Sequence, residues 1–367
     1  MNKRVCILTS AHLMFDPRIF YKQAKTLVEA GYKVTIISQH NKSETVDGIN
    51  IIALPKPTSR FLRMLSTMKV FVLALKNKAD IYHFHDPELI PTGILLKLVT
   101  GSKVIYDVHE DYPKAVLTKN WLPSAARKTI SLLFESIEKL ASLFFNRVIT
   151  ATKSIAKHFK KSIATIVGNY PILKHIRAKQ EYNNGNPVLI YIGGLNSANG
   201  IGEIVQSMKL INAKYNAKLL LVGRFSDKDY ESNILSAISE LSNIEYMGQQ
   251  PQITVFNILQ KASIGFTICP PQPNSIDAEP NKMFEYMATG LPVIVSNFPL
   301  WKEIVEDNKC GITVNPLDPQ EIARAVEYLC SNPELMEKMG RNGRKTVMGK
   351  YNWGNESKIL LSVYSSL

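Results

Sequence analysis

The run Asp277-Ala278-Glu279-Pro280-Asn281-Lys282-Met283-Phe284-Glu285 packs three acids, an amide and a lysine into nine residues. It continues as Tyr286-Met287-Ala288-Thr289-Gly290-Leu291-Pro292-Val293-Ile294-Val295-Ser296, which parses as helix, glycine stop and buried strand. Pro280 and Asn281 sit where a helix start is favoured. A helix opening at the mouth of a sheet points free N–H groups at a phosphate, and Lys282 adds a positive charge there. Glu285 can accept hydrogen bonds from a ribose diol, as carboxylates do in other nucleotide sites. Lys282 and Glu285 are three apart, so a plain surface helix pair also fits them. Two further phosphate-facing candidates are Arg224, after Leu219-Leu220-Leu221-Val222-Gly223, and the Gly193-Gly194 turn after Tyr191-Ile192. A tight strand-to-helix turn would equally want those glycines.

The first half has its own ionisable runs. Ile81-Tyr82-His83-Phe84-His85-Asp86-Pro87-Glu88 and Tyr106-Asp107-Val108-His109-Glu110-Asp111 each place such residues at the carboxyl end of a β-rich stretch, the end where open sheets bind ligands. Histidines there can exchange protons with a hydroxyl near neutral pH. No His-x-x-x-His helix spacing occurs, and no metal is expected. His83 and His85 are expected to point oppositely along the strand, one of them serving structure. Asp107 and Glu110 either orient neighbours, touch the acceptor or serve structure. Asp16 reads as a helix cap before Pro17-Arg18 in the loop on the acceptor side, with Arg18 either on the surface or facing an acceptor phosphate.

These residues need elements to hold them. Val5–Thr9, Val34–Ser38, Asp80–His83, Val104–Asp107 and Val148–Thr150 read as strands, with helices at 18–30, 61–77, 89–99 and 124–145 between them. Ser10 to Arg18 reads as the first loop. Polar residues 171–187 read as a linker. A second series follows, with strands Val188–Ile192, Lys218–Val222, Ile244–Tyr246, Ile264–Ile268, Val293–Ser296 and Ile312–Val314. Its helices fall at 200–214, 229–239, 282–289, 319–330 and 334–347, and 353–367 reads as a terminal helix. The fold class is therefore α/β, with two Rossmann-like doubly wound domains facing across a cleft. They cover 1–170 on the acceptor side and 188–348 on the donor side, with 349–367 returning as a helix to the first.

With 45% apolar residues in 367, a core forms without metal or disulfide help. The four cysteines are scattered, which fits a reducing compartment. The apolar run after Met1 is too short for a secretory signal, and no run is long enough to span a membrane. The expected location is cytoplasmic, or peripheral at the inner face of the cell membrane. The charge is uneven. Residues 1–168 hold 25 Lys and Arg against 12 Asp and Glu, whereas 169–367 hold 19 of each. Residues 56–78 carry Lys56, Arg60, Arg63, Lys69, Lys76 and Lys78 with no acid, a patch suited to phosphate-bearing partners. No nucleic-acid module is recognisable, and no nucleic-acid partner is expected.

Glu285-Tyr286-Met287-Ala288-Thr289-Gly290-Leu291-Pro292-Val293-Ile294 resembles the donor-site signature of the retaining GT-B glycosyltransferases, glycosyltransferase family 4. The resemblance extends to Gly193-Gly194-Leu195, to His109, and to Tyr351-Asn352-Trp353 opening a terminal helix. It implies a retaining transfer of a hexosyl unit from a nucleotide-diphosphate sugar, with no cofactor and no required metal. It implies that Glu285 holds the donor ribose and that His109 approaches the donor sugar. By spacing, the first acid of the motif is Asp277, with Glu279 competing. The resemblance also implies that His85 and Asp86 line the acceptor side. The family carries an Arg and a Lys on the donor pyrophosphate where this chain has Gly194 and Asn199. Backbone at Gly193-Gly194, Arg224, Lys282 and the helix start at Asn281 are the expected compensation.

The acceptor is expected to be a glycan or a lipid-linked saccharide in cell-surface polysaccharide assembly. Phe61, Leu62, Leu65, Met68, Phe71, Val72 and Leu75 recur at helical spacing. Most are expected in the core, with the basic residues of 56–78 meeting an anionic membrane. Two other readings stand beside this one. A nucleotide-sugar epimerase of the same architecture would make a new nucleotide sugar without an acceptor. A non-catalytic relative would bind the donor only, as Gly194 and Asn199 would suit.

Overall fold

Runs such as Val5-Cys6-Ile7-Leu8 and Leu189-Ile190-Tyr191-Ile192 are apolar at every position, which suits strands covered on both faces, and each lies buried in a parallel sheet. The computed structural model describes residues 3–56, 59–119, 121–179 and 186–367, with the side chains of 60–63 outside that description. The chain divides into two units, Met1–Asn169 with Trp353–Leu367, and Tyr170–Asn352.

Unit 1 holds strands β1 (Arg4–Leu13), β2 (Lys33–Gln39), β3 (Glu44–Val46), β4 (Ile49–Leu54), β5 (Ile81–Phe84), β6 (Lys103–Val108), β7 (Arg147–Thr150) and β8 (Ala164–Ile166). Among the described residues they form one sheet in the order β3-β4-β2-β1-β5-β6-β7-β8. Only the β3–β4 pair is antiparallel. Its helices begin with α1, which opens as π-type turns over Pro17–Ala24 and closes as α over Lys25–Glu29. Then come α2 (Arg60–Asn77), α3 (Ile90–Thr100), α4 (Tyr112–Leu117), α5 (Ser124–Ser142) and α6 (Lys153–Ala156).

The two faces of this sheet have different cover. Cys6, Leu8, Tyr82, Phe84 and Tyr106 share a core with Val70 and Ala74 of α2, Leu96 of α3 and Ala141 of α5. The alternate residues, among them His83 and Asp107, meet α1 and the terminal helix Trp353–Ser365. That helix is fixed to unit 1 by Trp353 Nε1 donating to Thr26 Oγ1 at 3.0 Å and by Glu356 accepting from Gly168 N at 2.6 Å.

Unit 2 holds β9 (Val188–Ile192), β10 (Lys218–Val222), β11 (Ile244–Gly248), β12 (Ile264–Thr267), β13 (Val293–Ser296) and β14 (Gly311–Val314). They pair in parallel in the order β11-β10-β9-β12-β13-β14. Its helices are α7 (Ile201–Leu210), α8 (Lys228–Ser239), α9 (Gln252–Lys261), α10 (Asn281–Thr289), α11 (Pro299–Val305), α12 (Pro319–Cys330) and α13 (Pro333–Gly349). Helices α9, α10 and α11 cover one face of the sheet and α7, α8 and α12 the other, while α13 reaches both cores through Val347 and Met336.

Several expectations need revision. The first loop is shorter than expected, because β1 continues to Leu13 and pairs it with Gln39 across a register shift. Part of the expected linker is core: Ile176 is buried and Tyr170 and Leu173 pack beside it. Residues 180–185 of that linker lie outside the described residues. On α2 the expected apolar set divides, with Phe71 and Leu75 packed beside the core. Val70 and Ala74 fill the core, while Leu65, Met68 and Val72 are exposed, since the small residues let the helix approach the sheet. Phe61 and Leu62, like Arg60 and Arg63, have side chains outside the described residues. No described helix is long and apolar enough to cross a membrane.

Candidate functional site

In each sheet the strand order reverses beside the first strand, β9 next to β12 in unit 2 and β1 next to β5 in unit 1. Crevices outside the carboxyl ends of such strands are where open α/β sheets take ligands. The chemistry-bearing residues gather at these two points.

In unit 2 the Gly193-Gly194 turn follows β9. Gly193 has φ +121, and a Cβ on its neighbour Gly223 would sit 1.8 Å from the Gly193 carbonyl oxygen. Only glycine at 223 lets the two loops touch. They are tied by Leu195 N donating to Arg224 O at 3.0 Å. The Arg224 residue itself is exposed at this edge. At 194, where the resemblance expects Arg, the Gly194 carbonyl accepts from Asn199 Nδ2 at 2.8 Å and from Tyr191 OH at 3.0 Å. Asn199 thus braces the turn with its amide, where the resemblance expects a lysine.

Helix α10 starts at Asn281 with no side chain capping it; Met283 N bonds the Pro280 carbonyl at 3.1 Å, which leaves the N–H groups of Asn281 and Lys282 for solvent or an anion. It stops at Gly290, whose φ of 95 lets its N–H reach the Tyr286 and Met287 carbonyls. Met283, Met287 and Ala288 are fully buried against the sheet. Tyr286 is buried too, and its hydroxyl accepts from Ile192 N at 2.8 Å, locking the helix to the end of β9. Lys282 therefore points at the turn. Its Nζ donates to Tyr191 OH and lies 3.9 Å from that ring's centroid. Burial pulls the Lys282 pKa down to about 8, against the weaker upward pull of Cys269 and Glu285. No carboxylate forms an ion pair with it among the described residues, so the ammonium is a desolvated cation held by a phenol and a ring face. Glu285 is half-buried one turn further along.

The two candidates for the first acid differ in setting. Asp277 is exposed, whereas Glu279 is half-buried and accepts from Tyr170 OH at 2.5 Å. Trp301 Nε1 donates to the Ala278 carbonyl at 2.7 Å and pins the loop between them.

In unit 1 the centre is Asp107, fully buried at the end of β6. Arg18 Nε and Nη2 donate to its two oxygens at 3.1 and 3.0 Å, and Gln23 Nε2 donates at 2.6 Å. Burial alone would raise the Asp107 pKa, but Arg18 and the histidines around it hold it well below the ordinary carboxylate range. His83 Nε2, His85 Nδ1 and His109 Nδ1 lie 3.5, 3.8 and 3.6 Å from its oxygens. Tyr364 of the terminal helix holds His83 from the far side, 2.6 Å from hydroxyl to Nδ1. Burial pushes the His85 pKa well below its ordinary value, so this ring is neutral.

Asp86 makes a second buried node. Its Oδ2 accepts from Thr9 Oγ1, Ser10 N and Ala11 N at 2.7, 2.6 and 3.1 Å, which fixes the outer, irregular part of β1. That part of the strand carries His12, a residue the sequence reading passed over. His12 Nε2 lies 3.2 Å from His109 Nε2 and 3.5 Å from Asp86 Oδ1, and His12 Nδ1 lies 3.3 Å from Asp16 Oδ2. Burial opposes charge on His12, but Asp16, Asp86 and Glu110 outweigh it and its pKa is raised. A protonated His12 can donate to His109 Nε2, and Asp107 then faces His109 Nδ1–H. His12 and His109 thus form a pair between which one proton can be held or moved, with Asp107 3.6 Å from the far ring nitrogen of His109. The His12–Asp16 spacing of four residues was the only local signal for it.

Two expectations about these residues are corrected. His83 and His85 do not point oppositely: their rings stack at 4.7 Å between centroids. Residues two apart on a strand share a face, and both rings lie on the Asp107 side. Arg18 is neither at the surface nor facing a phosphate. It is 2% exposed, and Nη1 also donates to Val167 O at 3.1 Å. Asp16 does cap α1, accepting from Arg18 N and Ile19 N at 2.8 and 3.0 Å. Glu110 is exposed. Among the described residues His83, His85 and Asp107 bring ligand atoms within 4.8 Å of one another, a grouping that could hold a metal ion. Arg18 already supplies Asp107 with the positive charge a cation would bring.

Comparison with known proteins fits this geometry. Residues 18–165 match the family model described as Glycosyltransferase Family 4, and 173–346 match that of Glycosyl transferases group 1. The capsular polysaccharide biosynthesis glycosyltransferase CapM of Staphylococcus aureus is 23% identical, over 83% of this chain and 81% of its own. Among solved structures, sucrose-phosphate synthase of Thermosynechococcus elongatus superposes with a TM-score of 0.81 at 18% identity, covering 100% of this chain and 99% of that one. Anabaena HepE, in complex with UDP and glucose, does so with a TM-score of 0.76 at 12% identity over 100% of both chains. The fold is GT-B, and the chain is a glycosyltransferase. Its first half carries the family 4 segment and its second the group 1 segment.

Proposed function

We propose that this enzyme moves a hexosyl unit, with retention at the anomeric carbon, from a nucleotide-diphosphate sugar to a glycan or lipid-linked saccharide in cell-surface polysaccharide assembly. The observation that carries the reading is Lys282, a desolvated ammonium in no ion pair among the described residues, beside an uncapped helix start and a glycine turn. A diphosphate supplies an anion in direct contact. Glu285, next on the same helix, is the acceptor for the ribose hydroxyls. HepE was solved with UDP and glucose, so a uridine nucleotide is the first donor to test. The capsular role named for CapM supports the polysaccharide setting.

In the proposed mechanism the leaving diphosphate is stabilised by the α10 N–H groups and Lys282, electrostatic catalysis of the preorganised kind. Asp277 is the proposed first acid of the motif. Glu279, held by Tyr170, positions the loop that carries it. His109 is the proposed partner of the transferred sugar. Its proton is set by His12 on one side and Asp107 on the other. His85 and Asp86 are placed on the acceptor side, and residues 56–78 at an anionic membrane.

Product analysis tests the reaction. Labelled sugar should pass from nucleotide to acceptor with its anomeric configuration kept. A new nucleotide sugar formed without acceptor would mean an epimerase instead. A gain-of-function change tests the site. A Cβ at Gly194 meets nothing nearer than 3.6 Å and its φ is not in the left-handed region, so Gly194→Arg is sterically allowed. It should tighten nucleotide-diphosphate binding about tenfold, one charge-assisted bond. Unchanged affinity would place the diphosphate elsewhere.

A further inference from the structure

The outer layer of unit 1 is built the wrong way round for a free surface. Helix α5 buries Ser131, Glu138, Ala141 and Ser142 against the sheet side. Its Leu132, Leu133, Ile137 and Leu140 are 55, 60, 48 and 65% exposed. At 100° per residue these four fall within one stripe, so this is a face and not scatter. Burying the acid is unfavourable: Glu138 bonds Tyr106 OH at 2.6 Å, and burial raises its pKa to about 7. An amphipathic helix that keeps an acid inside and leucines outside is oriented for an apolar environment beyond it.

Its neighbours share the pattern. Helix α3 lies beside both α2 and α5. It exposes Leu95, Leu98 and Val99, while α2 exposes Met64, Leu65, Met68 and Val72. Single exposed apolar residues are ordinary, but a patch running over three adjacent helices marks an interaction site.

The charge on these helices identifies the partner. Residues 60–77 and 90–100 contain no acid, and with 124–142 they hold eight Lys and Arg against two acids. One of the two acids is the buried Glu138. Interfaces between proteins are depleted in lysine at their centre, whereas leucine stripes edged with lysine suit the boundary between acyl chains and anionic headgroups. We infer that the outer face of α2, α3 and α5 is a docking surface for an anionic lipid bilayer, with α5 as its principal apolar element. This widens the membrane contact proposed at 56–78. Its use rests on the lipid-linked acceptor, but its evidence does not.

Flotation of the full chain with vesicles tests the inference. The protein should rise with phosphatidylglycerol–phosphatidylcholine vesicles at low salt, and much less with phosphatidylcholine alone. Ile137→Glu with Leu140→Glu should lower the bound fraction at least about tenfold, and Lys128→Glu with Lys139→Glu should do the same through charge. All four positions are exposed, and titration with UDP on the same samples reports whether unit 2 is intact. Intact nucleotide binding with lost flotation supports the surface independently of the transfer reaction. Failure of the unmodified protein to float, or flotation indifferent to both double variants, overturns it. So does a dimer in light scattering that Ile137→Glu with Leu140→Glu dissociates without any vesicle binding.

Discussion

Asp107→Asn is expected to destabilise unit 1 by about 3–5 kcal/mol, the effect of leaving a buried charge without its partner. The carboxylate accepts three hydrogen bonds from Arg18 and Gln23, all below the surface. An amide there presents an NH2 group to donors and strands the guanidinium. The pH dependence has a definite sign. The folded Asp107 pKa lies below the ordinary value of 3.8, so the carboxylate's stability is present above that value and lost as pH falls through the folded one. Urea unfolding of the variant should therefore show its deficit at neutral pH and a shrinking deficit in acid. Arg18→Met combined with Asp107→Leu should cost less than either change alone, because no unpaired charge remains. Additive losses would contradict the pairing. Transfer activity should fall with stability, since His109 stands 3.6 Å from the same carboxylate.

Lys282→Met should weaken nucleotide-diphosphate binding about 10- to 100-fold, the worth of a charge-assisted bond to phosphate, while leaving the fold intact. The methionine fills the space beside Tyr191 without a charge. In the unmodified protein, burial sets the Lys282 pKa to about 8. Only the ammonium attracts the anion, so donor binding raises that pKa and takes up a proton. Affinity should thus be flat below pH 8 and decline above it, by up to about tenfold per pH unit. The methionine variant should bind weakly with no such decline. Isothermal titration across pH 6.5–9.5, a range chosen to straddle about 8, reads both effects. An unmodified enzyme whose affinity does not change above pH 8 would mean that Lys282 does not meet the diphosphate.

Legibility of the fold tracked the locality of its causes. The strands of unit 2 were readable almost residue by residue, because each is a short apolar run between breakers. Helix α10 was readable because its start at Pro280-Asn281 and its stop at Gly290 are both local. The β3–β4 hairpin was missed although its turn carries a local signal. Asp47 and Gly48 both take positive φ, 52 and 78, the Asp-Gly turn that joins antiparallel strands. Arg18 was misplaced for a different reason. Its partner is 89 residues away, and a bidentate pair of that separation leaves no trace in spacing. The histidines at 83 and 85 needed only the period of two applied correctly. Helix α5 resists pattern reading altogether: periodicity assigns its leucines inward, and only the tertiary contacts of Ser131 and Glu138 reverse it.

The central claim is that α10 of unit 2 is a nucleotide-diphosphate-sugar site. Calorimetric titration with UDP-glucose and other nucleotide sugars, on the unmodified chain and on Glu285→Ala, tests it most directly. Saturable binding to at least one of them, weakened about 10- to 100-fold by Glu285→Ala with unfolding behaviour unchanged, is the predicted result. No heat from any nucleotide sugar at millimolar concentration, or binding that Glu285→Ala leaves untouched, would contradict it.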